Sequence, residues 1–308
     1  MALNHLGEPF KGTIWYWLED TYGSGESATT LPISCKVQSV RVDSGDRFKV
    51  LKDIGSPLAC NFLEQTKEPK LHLEYIPQAD DTMIDDVIDR MGSCCSLQSL
   101  AFCVGANTCM ADADNKSYFY VTGAKPATVR IAASKNTEYM VTVDYEVKSA
   151  VTSKVATGSA PSVLTGEYLA FNIAGEIRKT GGHIVDGDHI AFICNSIDIT
   201  VTHKLEGHTD HDSLEKDYLI ESDMDIEGSV DITLDGGGAS HFGEVMANTA
   251  FTITVDMGGV GAPRITLPGC QWKNTSVGID VSGEAMKNST PFSAKPSSCS
   301  TIVSVVPA

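Results

Sequence analysis

The stretch Val141-Thr142-Val143-Asp144-Tyr145-Glu146-Val147-Lys148 alternates apolar and polar residues without a break. Successive side chains of a β-strand point to opposite faces, so this period of two makes a strand with one dry and one wet face, as in antiparallel sheets. The same alternation returns at Ile197, Ile199 and Val201, at Val230, Ile232 and Leu234, at Phe251, Ile253 and Val255, and at Val277, Ile279 and Val281. One segment breaks the rule: Met83, Ile84, Val87, Ile88 and Met91 lie on one helical stripe. That spacing predicts a helix near 81–91, with Asp80 or Asp81 at its start, Gly92 at its end and Asp85, Asp86 and Asp89 on its wet side. A second helical turn is expected near Phe242–Ala247, weakened by Gly243. The fold class expected is mainly β.

The order of features runs through the chain twice. Gly12-Thr13-Ile14-Trp15-Tyr16-Trp17 is echoed by Gly166-Glu167-Tyr168-Leu169-Ala170-Phe171, and each is read as opening a unit. The strand Leu71–Tyr75 leads into the clear helix, as Val230–Leu234 leads into the weaker one. Thr128–Ile131 matches Ser276–Ile279, each behind a loop of Gly-Pro character, Gly123–Pro126 and Pro268–Gly269. Ser149–Pro161 is rich in Ser, Thr, Ala and Gly and reads as the link between copies. The expected division is a first β domain at 1–150, a linker at 151–161 and a second β domain at 162–308. Each copy also carries a long polar excursion, Asp43–Pro69 and His203–Ser222. Loops of that length in compact domains usually have a task.

The 308 residues include 40 Asp and Glu against 23 Lys and Arg, for a net charge of −17. Such a surface repels phosphate backbones and anionic lipid, which argues against a nucleic-acid grip or a membrane partner. No stretch approaches the roughly 20 apolar residues that span a bilayer, and residues 1–10 lack an export pattern. Synthesis in the cytoplasm as a soluble chain is expected, with reduced thiols among the nine cysteines. Cys94, Cys95, Cys103 and Cys109 cluster without zinc-knuckle spacing.

No Walker loop, dinucleotide fingerprint, nucleophile elbow or zinc-protease helix occurs, so no catalytic residue, cofactor or enzymatic activity is expected. His208, Asp210, His211 and Asp212 are the densest ligand-like group, yet a solvated loop in an acidic chain explains them better than a metal does. Asp112 and Asp114 open like a calcium loop, but Gly123 stands where that loop needs a glutamate. Alternation sends Trp15 and Trp17 to one face of a strand and Tyr16 to the other, which favours core packing over a ligand platform.

Val50-Leu51-Lys52-Asp53-Ile54-Gly55-Ser56, Asn61-Phe62-Leu63-Glu64-Gln65-Thr66-Lys67-Glu68, Leu73-Glu74-Tyr75-Ile76-Pro77-Gln78 and Pro291-Phe292-Ser293-Ala294-Lys295 resemble phrases of the major tail tube proteins of tailed viruses of bacteria and archaea. The resemblance implies two tandem tail-tube-type β-sandwich or barrel domains, each with a small flanking helix. It implies rings whose inner sheets join around a lumen, and rings stacked into the tube through which the genome passes without specific binding. The implied partners are further copies of the chain, then terminator, tape measure and baseplate components, and the implied location is the virion tail. On this reading the excursions join successive rings, and Asp53, Glu64, Lys67, Lys70, Asp210, Glu215 and Lys216 are the candidate contacts. Two domains per chain imply three chains per ring; six chains with 162–308 outside the barrel is the other arrangement. A β-sandwich module for capsid decoration or adhesion is the alternative function.

Overall fold

The computed structural model describes residues 11–25, 30–33, 36–52, 59–84, 86–87, 97–107, 116–153, 164–171, 177–180, 193–234, 250–257, 264–273, 286–295 and 304–306. Its strands in chain order are β1 (Lys11–Leu18), β2 (Leu31–Pro32), β3 (Val37–Asp43), β4 (Arg47–Lys52), β5 (Ala59–Gln65), β6 (Lys70–Tyr75), β7 (Leu100–Asn107), β8 (Lys116–Ser134), β9 (Met140–Glu146) and β10 (Ser149–Ser153). They continue with β11 (Ile177–Thr180), β12 (Ile193–His208), β13 (Tyr218–Leu234), β14 (Phe251–Asp256), β15 (Arg264–Trp272), β16 (Met286–Ala294) and β17 (Ser304–Val306). All their pairings are antiparallel, and among the described residues no helix is long and apolar enough to cross a membrane.

The first half turns a corner on one long strand. The early part of β8 pairs with β7 and β10, and its later part pairs with β9. Between them sits Gly123 at φ 65°, a left-handed conformation that glycine adopts without steric cost. A Cβ there would lie 2.5 Å from the Lys148 Cβ, so the site requires glycine twice over. Buried Glu19 fixes the corner, accepting from the Gly123 N–H at 3.1 Å, the Gly23 N–H at 3.0 Å and the Gly25 N–H at 2.9 Å.

Seven strands of the second half repeat the plan of seven in the first, β2, β4 and β5 having no counterpart among the described residues. β15 pairs with β17 before Gly269, with β14 mostly before it but also at Cys270, and with β16 after it, and Gly269 has φ 66°. The pairings β1–β7, β7–β8, β8–β10, β3–β6, β6–β9 and β9–β8 return in chain order as β11–β14, β14–β15, β15–β17, β12–β13, β13–β16 and β16–β15. Even irregularities match: β3 shifts register before Ser39, and β12 before Ser196.

The halves join edge to edge. β8 pairs with β12 from Thr128↔Thr202 to Ser134↔Ser196, so one sheet runs β3-β6-β9-β8-β12-β13-β16 without interruption. Its dry face carries Leu71, Leu73, Val141, Val143, Tyr145, Val129, Ile131, Ile197, Ile199, Val201, Ile226 and Val230, which share one buried cluster with Phe251, Ile253, Val255 and Leu267. Each such aliphatic side chain contributes about 1.5–3 kcal/mol when fully buried, so the seam is as much core as either half.

Several expectations change. Only short helical stretches at 83–84 and 86–87 are seen where the 81–91 helix is expected; the Met83 N–H donates to Asp81 Oδ1 at 2.9 Å. Asp86 is not simply solvated, because the Tyr16 hydroxyl donates to its Oδ2 at 2.9 Å. Residues 88–91, the turn at 242–247 and the Val277–Val281 strand lie outside the described residues, as do most of the residues after Pro161 up to Ile193. Gly166–Phe171 is no counterpart of β1. It lies across the first half, with the Leu169 N–H donating to the Pro77 carbonyl at 3.0 Å and the Tyr139 N–H to the Leu169 carbonyl at 2.9 Å. The Ser- and Thr-rich stretch begins as a strand, β10, because the edge of β8 offers it partners. Trp15 and Trp17 do part from Tyr16: they pack with Ala101 and Cys103, while Tyr16 joins the large cluster. Burial pushes the Cys270 thiol up to about 12, which keeps it protonated.

Candidate functional site

The wet face of the joined sheet is built by the same alternation that builds the core. Opposite partners run in a single rung from Ser39 through Glu74, Thr142, Arg130, Thr200, Glu227 and Ser293 to Gln271, crossing β3, β6, β9, β8, β12, β13, β16 and β15. A neighbouring rung runs Arg41, His72, Asp144, Thr128, Thr202, Asp225.

Charges on this face are paired across strands. The Arg130 Nε–H donates to both Asp198 carboxylate oxygens, at 2.9 and 3.0 Å, which ties β8 to β12. That hydrogen bond and the Asp198 charge hold the Arg130 guanidinium above its ordinary pKa. His72 Nδ1 lies 2.7 Å from Asp144 Oδ1, and Lys273 is paired with Glu227. Glu146 is shared, lying 2.9 Å from Lys70 Nζ and 2.7 Å from Lys216 Nζ. Burial pushes the Glu146 carboxyl up, but the hydrogen bonds from Lys216 and Lys70 outweigh it and hold its pKa below the usual range. A polar cleft of about 500 Å³ lies between Asp198, Thr200, Thr202, Asp225 and Glu227. Ligand pockets are mostly apolar with a few placed polar groups, and this open cleft is lined by polar and acidic side chains instead.

Two arms stand off the sheet. The excursion Asp43–Pro69 is no structureless loop, because β4 and β5 pair within it as a separate two-stranded sheet. Phe48 is 58% and Leu63 52% exposed on that arm. The excursion His203–Ser222 is likewise mostly strand, with β12 and β13 paired out to His208↔Tyr218. Its tip folds back onto the first half. The Lys67 N–H donates to the Leu214 carbonyl at 2.8 Å, the Ser149 hydroxyl to Glu215 Oε1 at 3.2 Å, and Lys216 is buried against Glu146. Beside it Lys125 Nζ reaches Glu221 Oε1 at 2.7 Å.

The structure thus gathers Lys70 and Lys216 on Glu146, with Glu215 and Lys67 beside them at the docked tip. Glu64 stands exposed on β5 opposite Phe48, Asp210 caps the tip by donating its N–H to Asp217 Oδ2 at 2.7 Å, and Asp53 lies outside the described residues. Glu146, Lys125 and Glu221 escape sequence reasoning, since each reads only as a polar position in a strand. His208 stacks on Tyr218 with ring centroids 5.4 Å apart, and among the described residues no three His, Cys, Asp or Glu side chains converge as a metal site. Of the clustered cysteines only Cys103 is described, and it is buried. Compared with known proteins, the chain matches no family model and no curated protein.

Proposed function

We propose that this chain is a structural, non-catalytic protein that assembles with copies of itself into stacked rings, the tail tube of a tailed virus. The observation that carries the reading is the joined sheet: two halves of one strand order, side by side, sharing a dry core and a continuous wet face. An open sheet made of repeated units ends in edges that invite another unit, and closure removes them. On this reading the wet face lines a lumen. Its cations Arg130, Lys70 and Lys273 are already paired with carboxylates, so they add little grip on passing phosphate. The partners are then other copies, neighbouring tail components and a genome in transit, and the place of action is the virion after synthesis in the host cytoplasm. The β8–β12 pairing supports three chains per ring with both halves at the lumen, since it sets the second half in the same sheet as the first.

Size-exclusion chromatography followed by electron microscopy with symmetry-free reconstruction tests this. Rings or hollow tubes of three chains are expected. A chain that stays monomeric at high concentration would remove the tube reading in favour of a decoration or adhesion module. Six chains with 162–308 outside the barrel would remove the trimer.

A further inference from the structure

The arm that docks on the first half does not fully satisfy the corner it covers. Over 205–221 it carries Glu206, Asp210, Asp212, Glu215, Asp217 and Glu221 against one cation, Lys216, and it lies on a corner that holds Lys70, Lys125 and Lys148. Two of those three are paired, Lys125 with Glu221 and Lys70 with the Glu146 it shares with Lys216. Lys148 is not. Its ammonium stands half-buried 5.4 Å from the Tyr22 ring centroid, with the Lys125 ammonium 5.6 Å from the same ring, and among the described residues no carboxylate pairs with it. The Tyr22 hydroxyl is buried as well, and among the described residues it has no hydrogen-bond partner. Burial first, then the charges of Glu19, Glu146 and the arm's own Asp217, push that hydroxyl above its usual range, so it remains a donor. A buried donor without an acceptor and an ammonium without a counter-charge both weigh against the docked arm. A segment that brought an oxygen to each would bind the corner better than the arm does.

We propose that the corner built by Tyr22, Lys125 and Lys148 is a docking site for a carboxylate-rich polypeptide segment of a partner protein, and that the arm 205–221 covers it as the chain's own stand-in until such a segment displaces it. The arm can lift as one piece. Its strands stay paired out to His208↔Tyr218, while the ladder breaks at its root between His203↔Met224 and Leu205↔Glu221, which leaves Ser222 and Asp223 opposite Lys204. A bulge of that kind bends a strand and leaves the pairing beyond it intact.

The occupant already seated there decides the class of partner. It is an acidic hairpin, held by its carboxylates and by its backbone: Lys125 Nζ donates to the Leu219 carbonyl at 3.4 Å, and the Lys67 N–H to the Leu214 carbonyl at 2.8 Å. Peptide carbonyls and carboxylates are therefore what the corner recognises. The site does not depend on the tube reading, since a decoration or adhesion module would use it in the same way.

Binding of fluorescent hexaglutamate to the full chain, followed by anisotropy at low salt, tests the proposal. A tethered arm competes at a roughly millimolar effective concentration, so the wild type should bind the peptide weakly. Lys216→Glu sets a carboxylate against Glu146, and Glu221→Gln removes the counter-charge of Lys125. Together they should free the arm, which the Lys67 amide reports by faster hydrogen exchange. That double variant should bind hexaglutamate at least about tenfold more tightly than the wild type. Adding Lys148→Gln or Tyr22→Phe should reverse most of the gain, and Tyr22→Phe keeps the buried ring, so its melting temperature should match that of its parent. No gain on freeing the arm, or a gain that survives both additions, would overturn the proposal. So would a Lys67 amide that stays protected, or an equally tight complex with a single-stranded oligonucleotide.

Discussion

The two arms occupy the same place in the repeated strand order and meet different fates. The arm between β3 and β6 ends in a separate two-stranded hairpin, β4–β5, with Phe48 and Leu63 in solvent, and touches the other arm only near its base, through Lys67. The arm between β12 and β13 is bent onto the first half, and Lys216 at its tip is only 6% exposed. The difference lies in what each finds beneath it. The second arm lands on Glu146, a half-buried carboxylate at the end of β9 that needs compensating charge, and completes its shell with Lys70. A buried lysine is tolerated only when paired, so the docked arm is held by an electrostatic requirement as well as by contact. Equal topology does not give equal surroundings: one arm straps the chain's own halves together, and the other holds Phe48 and Leu63 in solvent.

The largest expected effect comes from removing the shared carboxylate. Glu146→Ala leaves Lys216 buried without its partner and should cost about 3 kcal/mol in denaturant unfolding. A loss no larger than that of Lys70→Ala would show that the strap does not depend on the pair. Lys70→Ala itself should cost less than about 1 kcal/mol, because that side chain is 58% exposed and its pairing is screened by water.

Acid should loosen the strap. The Glu146 pKa is lowered in the folded protein, so its contribution is fully present above its unfolded value of 4.5 and is lost as pH falls through the folded pKa. Melting temperature followed from pH 6 to pH 3 should therefore fall less steeply below ~4.5 in Glu146→Gln than in the wild type. Parallel curves would mean that Glu146 is not the titrating strap.

The free arm should give the smallest stability change and a visible assembly change. Phe48→Ser with Leu63→Ser should alter stability by no more than about 0.5 kcal/mol, since both side chains already face water. Polymer length by electron microscopy should nevertheless fall. Full-length polymers from the double variant would mean that the exposed apolar pair is not a contact between rings.

Much of the strand architecture was readable from period alone. Val141–Glu146, Ile197–Val201 and Phe251–Val255 lie in strands with the expected dry faces, and Trp15, Tyr16 and Trp17 divide between two clusters as alternation requires. The glycines at 123 and 269 stood out as irregular points, although they proved to be corners inside continuous strands and not loops between them. The helix near 81–91 was legible as an apolar stripe, and Met83, Ile84 and Val87 are buried, but only short turns of it are described.

The chain's own order of residues determined which positions are dry, which are wet and that a plan occurs twice, because side-chain alternation is a local property of each strand. Only the tertiary structure decided that β11 and not Gly166–Phe171 is the counterpart of β1, that β8 receives β12, and that Lys216 finds Glu146. These are pairings between residues far apart in the chain. Nothing in the spacing of a strand names its partner, since any edge offers the same row of N–H and C=O groups. The choice is made when register, bulge and charge are satisfied together across the sheet, and that condition exists only once the chain has folded.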